Sequence, residues 1–197
     1  MLEESEETWD KICRGVQLLN AICKGASPGI HRDLVAAIKL LARPICNAVL
    51  SERSRLSGHA TDFLSSLAIS LQKAFEPLIP LLVPSLLLGT ARSNKVFISR
   101  SKATLMVIVE HVQSPLLIPY FRNSVTDKSL SLRLTATELV LSCLNCFNPP
   151  DLENVQRAED IETVIKATAT DTSAEVRKTS RGVFEAYKIL LPARVDE

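Results

Sequence analysis

The sequence predicts an all-α fold of antiparallel helix pairs stacked into a solenoid. Three observations carry that expectation. Apolar residues recur at helical spacing along nearly the whole chain, glycine and aromatic residues are scarce, and polar turns return at similar intervals. The 197 residues include only 6 glycines, with 5% aromatics, whereas hairpins and sheet sandwiches consume both. Hydrophobic residues are 46% and charged residues 23%, the composition of a chain that buries a core. At this length the core needs no metal or disulfide to support it.

The elements follow in order. Trp9, Ile12, Cys13, Val16, Leu19 and Cys23 mark one face of a first helix, which Gly25, Ser27, Pro28 and Gly29 stop. Leu34, Val35, Ile38, Leu41, Ala42 and Ile45 mark a second. Phe63, Leu64, Leu67, Leu71 and Phe75 mark a third, beginning after Ser51. The run from Pro77 to Leu88 is apolar nearly all round, so it belongs between neighbours, and its prolines predict a short or kinked helix. Beyond a polar break at residues 89–94, Ala103, Met106, Val109 and Val112 resume the pattern. Pro115 and Pro119 bracket a short helix ending near Val125. Leu130, Leu134, Thr137, Leu141 and Leu144 mark a long one, broken by Asn148, Pro149 and Pro150. Ile161, Val164 and Ile165 mark the next. Asp171, Thr172 and Ser173 form a turn with a capping residue, and Val176, Ser180, Val183, Tyr187 and Leu190 mark the last helix, closed by Pro192. Leu134, Leu141, Leu144, Val183, Phe184 and Tyr187 are expected to be buried.

The turns inside the pairs align around Arg53, Asn94, Asp127 and Asp171, at intervals of about 41, 33 and 44 residues. Helix pairs recurring at about 40 residues are the signature of HEAT or armadillo repeats, because one pair cannot bury both of its apolar faces alone. Each turn carries small polar residues and a basic residue at the entrance to the second helix of its pair. In a solenoid, equivalent turns share one edge.

Net charge is +1, which gives no global drive toward nucleic acid or an anionic membrane. The charge is nevertheless uneven. Glu3, Glu4, Glu6, Glu7 and Asp10 crowd the first ten residues, while no acid occurs from Pro77 to Val109, where Arg92, Lys95, Arg100 and Lys102 stand. The five cysteines are an odd count with irregular spacing, and most fall at apolar positions of helices, as reduced thiols do. The acidic N-terminus is no signal peptide, and the most apolar run is too short and too proline-broken to span a bilayer. Cys143 and Cys146 form a lone CxxC without a second pair or a nearby histidine, and His31, His59 and His111 stand apart. With no phosphate loop, nucleophile elbow or HExxH motif, nothing points to an enzyme or to a cofactor. Trp9, the single tryptophan, fits either a core plug at the end of the solenoid or an exposed binding anchor.

The segment from Asp171 to Arg181, with Tyr187 and Pro192 beyond it, is similar to the last repeat of TOG domains in the CLASP family. There an aspartate-led turn precedes a basic helix and an aromatic residue. The opening Glu7-Thr8-Trp9-Asp10-Lys11 resembles the first turn of that family, and Ser93-Asn94-Lys95-Val96 with the proline-rich helix before it resembles the third repeat. The resemblance implies a single TOG-like HEAT-repeat domain over residues 1–197, a flat paddle of five to six helix pairs whose turns bind αβ-tubulin or microtubules. It implies a microtubule-stabilising role that suppresses catastrophe and promotes rescue, in the cytoplasm at microtubules and the spindle. Carried over, the tubulin-facing residues are Trp9, Arg53, Asn94, Lys95, Lys128, Arg177 and Lys178. The chain ends fit a domain excised from a longer protein. The competing expectation is a HEAT-repeat scaffold that docks another protein, such as a kinetochore or adaptor component.

Overall fold

The computed structural model describes residues 4–194, which hold ten α-helices and short 3-10 segments. Backbone contacts divide the chain into two compact units, Met1–Val112 and Gln113–Glu197.

The first unit holds α1 (Trp9–Lys24), α2 (His31–Val49), α3 (Ser54–Leu71), α4 (Ile79–Thr90) and α5 (Lys95–Val112). Helices α1, α3 and α5 lie side by side in one layer, and α2 and α4 pack behind them. Close turns join α2 to α3 and α4 to α5, making two pairs, with α1 as a leading single helix. The stretch across α3 and α4 is apolar enough to match a membrane span by composition. It breaks, however, at the 3-10 segment Gln72–Leu78, and half of its most apolar window is buried within the fold. Gln72 makes the break with φ 48°, a conformation that L-residues seldom adopt, and Gln113 repeats it with φ 47° after α5. Pro77 and Pro84 remove backbone donors in and after the 3-10 segment, which accounts for the short, interrupted helix read from the sequence. Phe63, Leu64, Leu67, Phe75, Leu82, Leu86, Leu105 and Ile108 are completely buried and form the core.

The second unit holds α6 (Ile118–Ser124), α7 (Leu130–Cys146), the single turn α8 (Pro149–Leu152), α9 (Val155–Ala169) and α10 (Ala174–Leu190). The α6–α7 and α9–α10 pairs stack so that α7 lies against α10 and α6 against α9. Phe121, Leu139, Val140, Cys143, Ile161, Val164 and Val183 close the interior. Asp160 is buried there with two cationic partners, Arg122 Nη1 at 3.0 Å and Arg157 Nη1 at 3.1 Å.

Three side chains expected in the core lie elsewhere. Leu134 and Leu141 are half-buried and Phe184 is exposed, whereas Leu144, Val183 and Tyr187 are buried as expected. The face of α7 that enters the core runs through Leu132, Ala136, Leu139, Val140 and Cys143, one step around the helix from the leucine stripe. Leucine occurs on both sides of α7, so periodicity alone picked out Thr137 and Leu144, which are buried, but took Leu134 and Leu141 in place of Leu132 and Leu139. Leu141 instead rests beside Gly182 of α10.

Two glycines of the first unit leave room for side chains of α5. A Cβ on Gly58 would lie 2.7 Å from Arg100 Nη1, and a Cβ on Gly89 would overlap the Ser101 hydroxyl. Gly89→Ala is therefore expected to cost about 2 kcal/mol in urea unfolding, through overpacking between α4 and α5. Ser101→Gly in the same protein should recover most of that loss.

Candidate interaction edge

Four turns share one local device. The side-chain oxygen of Ser51, Asn94, Asp127 and Asp171 accepts the backbone N–H two residues on, from Arg53, Val96, Ser129 and Ser173, at 3.1, 2.9, 2.7 and 2.8 Å. This hydrogen bond closes the turn locally and leaves the next residues aimed into a helix. Asn94, Asp127 and Asp171 are the positions around which the turns align, and at the remaining turn Ser51 lies two residues before Arg53.

In the first unit the turns are tied together by arginine. Arg53 lies over the Trp9 ring, 5.4 Å from its centroid, and pairs with Glu4 at 3.3 Å and Glu6 at 2.6 Å. Trp9 is half-buried under that guanidinium, so it is neither a full core plug nor a bare anchor. Arg92 reaches back from the α4–α5 turn to the Leu50 carbonyl and to Glu52 at 3.1 Å, while covering Phe97 at 5.0 Å. Arg100 donates to the Ser54 carbonyl at 2.6 Å, across the space Gly58 leaves open. Asn94 is the turn-forming acceptor before α5. Lys95 follows it, exposed and without an ion pair among the described residues.

The second unit repeats the device with a buried charge pair. Arg133 grips Asp171 through Nε–Oδ2 at 2.7 Å and Nη2–Oδ1 at 3.1 Å, with side chains only 15% and 6% exposed. The remaining Nη1 of Arg133 donates to the Asp127 and Lys128 carbonyls at 3.0 and 3.2 Å. Arg177 curls back in the same way onto the Asp171 and Thr172 carbonyls at 2.6 and 3.0 Å. Arg177 is thus half-buried and builds its own turn, while Lys128 and Lys178 stay exposed. Single-turn inspection misses Arg133, yet its signal is in the sequence. Aspartate followed six residues later by arginine occurs at Asp127/Arg133 and again at Asp171/Arg177.

Hydrogen bonding from Arg133, opposed by burial and aided by the Ser173 N–H, holds the Asp171 carboxyl below its usual range. In the same unit, burial and then the hydrogen bond to Glu162 push the Tyr187 phenol up to about 12. Tyr187 donates to Glu162 Oε1 at 2.5 Å, and Arg194 Nε donates to the same oxygen at 2.9 Å, which anchors the segment after α10. The Cys143 thiol is pushed up by burial, which disfavours the thiolate a metal or a nucleophile needs. Among the described residues no cluster of three His, Cys, Asp or Glu could hold a metal, and all five cysteines are free.

The profile of the family described as CLASP N terminal matches residues 1–197. The chain belongs to the CLASP N-terminal family. Protein stu-1 of Neurospora crassa is 25% identical over 195 residues, covering 97% of this chain and 17% of the relative, so the chain spans about one-sixth of that protein. Among solved structures, a chain from the complex work on microtubule plus-end tracking by XMAP215, CLIP-170 and EB1 superposes with a TM-score of 0.76. It is 18% identical and is matched over 96% of this chain and 76% of its own length. A chain from microtubule polymerases with TOG domain arrays, described for tubulin recruitment and assembly, gives 0.70 at 15% identity, over 92% of this chain and 38% of its own. This CLASP N-terminal chain accordingly has the all-α, TOG-type HEAT-repeat solenoid fold.

Replacing Asp171 with Asn should cost about 3 kcal/mol at neutral pH, because it strands a largely buried guanidinium. The folded-state carboxyl titrates below its unfolded value, so its contribution is complete above about pH 4 and is lost as pH falls through the lower folded value. Chemical denaturation across pH 7 to 2 should therefore show the wild type and Asp171→Asn converging only at the acid end.

Proposed function

We propose that this chain is a tubulin-binding TOG module of a CLASP-type protein that stabilises microtubules, acting in the cytoplasm at microtubules and the spindle. The observation that carries the reading is what remains after the turns are built. Arg53, Arg133 and Arg177 are spent on internal contacts, yet Lys95, Lys128 and Lys178 stand exposed at the turns without partners among the described residues. Two of these lysines sit beside exposed apolar residues, Val96 next to Lys95 and Leu130 next to the Lys128 turn. Cation and small apolar surface together suit an acidic protein partner, with charge setting orientation and encounter rate. Of the seven residues carried over from the family resemblance, Lys95, Lys128 and Lys178 are the proposed direct contacts. Trp9 and Arg53 form a composite surface, and Asn94 and Arg177 shape turns.

Lys95→Glu with Lys178→Glu should weaken co-elution with αβ-tubulin on a sizing column by about tenfold or more. The circular dichroism melt should stay at the wild-type temperature, since both side chains are in water. Wild-type binding should fade as salt rises, because exposed pairs are screened beyond about 8 Å at physiological ionic strength. A folded double variant that binds tubulin like the wild type would remove these turn lysines as contacts and favour the scaffold that docks another protein.

A further inference from the structure

The edge of the first unit already carries an acidic occupant of its own. Glu4 Oε1 accepts the Ser51 hydroxyl at 2.7 Å and lies 3.3 Å from Arg53 Nε, while Glu6 Oε1 lies 2.6 Å from Arg53 Nη2. Ser51 is 5% exposed, and its oxygen also accepts the Arg53 backbone N–H, so the hydroxyl hydrogen is directed outward at the carboxylate. The guanidinium presents its fork to two carboxylates while one of its faces stacks on Trp9. Residues 4–7 are exposed as a stretch, and within it the Glu4 side chain is half-buried at 30% exposure while Glu6 stands in water at 85%, so charge carries most of the attachment.

We propose that the Ser51–Arg53–Trp9 surface is a receptor for a partner segment bearing two carboxylates, and that residues 4–7 are a tethered competitor such a partner must displace. This rests on the binding role proposed above for the same edge. The donor set is one oriented hydroxyl and two guanidinium N–H groups beside an indole, which matches an acidic peptide with an apolar neighbour. Tethering keeps the glutamates at high effective concentration, and the apparent affinity for an outside segment falls by the fraction of time the surface is occupied.

The test uses the whole chain and two readouts. Trp9 is the single tryptophan, so acrylamide quenching of its emission reports the leader directly. Glu4→Gln with Glu6→Gln should raise quenching to the level the wild type reaches at high salt. The same variant should bind a labelled Glu-Ser-Glu peptide and αβ-tubulin about fivefold more tightly, the weight of one half-buried and one more exposed ion pair to Arg53. Adding Arg53→Gln should abolish the gain. Unchanged quenching and unchanged peptide affinity, with a lowered melting temperature, would overturn the proposal and leave the leader as a structural cap. A peptide gain without any tubulin binding would uphold the receptor and sink the tubulin reading alone.

Discussion

The grip of Arg133 on Asp171 is the interaction on which the ordering of the second unit depends. One guanidinium joins two successive turns, because its fork holds the carboxylate of one turn while its third nitrogen caps the carbonyls of the other. The carboxylate in turn accepts the Ser173 N–H, which starts α10. Turn closure, helix initiation and repeat-to-repeat register are thus served by the same few atoms. Such an arrangement tolerates burial because nearly every donor and acceptor in it is matched.

The first unit solves the same problem with separate parts. Hydroxyl and amide side chains close the turns, and Arg53, Arg92 and Arg100 do the bridging from different positions. The guanidinium carbons of Arg53 and Arg92 lie over the Trp9 and Phe97 rings, so these two contribute cation–π contact as well as hydrogen bonds. Gly89 lets α4 pack against Ser101 of α5, and Gly58 leaves room on α3 for the Arg100 guanidinium to reach the Ser54 carbonyl. Most arginine at this edge is consequently structural, and exposed lysine is what remains for a partner. The division follows chemistry: a planar fork suits carbonyls and carboxylates in fixed geometry, and a flexible ammonium suits a surface not yet met.

That division was not legible one turn at a time. Arg53, Arg177 and Lys178 look alike in the sequence as cations near a polar turn, yet the first two are engaged by carboxylates or carbonyls of the chain and the third is not. Arg177 stands six residues after Asp171, in the first turn of α10, from which its side chain reaches back to the Asp171 and Thr172 carbonyls ahead of the helix, whereas Lys178 points a further 100° around α10. The repeat of that spacing at Asp127 and Arg133 could have revealed the motif before any coordinates. The α7 leucines are a different case. Leu134 and Leu141 are helix-spaced apolar residues beside another set with equal claim, and only the position of α10 decides which set is buried.

By itself the sequence determined the all-α class, the order of the helices, the place of the four turns and the proline-shortened α4, because each follows from local preferences: apolar period, capping oxygens and missing backbone donors. Tertiary structure alone decided which face of α7 is interior, which arginines are engaged, and that Glu4 and Glu6 lie on Arg53, 49 and 47 residues away along the chain. Those outcomes depend on distances between segments remote in sequence. A side chain with several chemically acceptable partners is assigned to one only when packing brings that partner within reach.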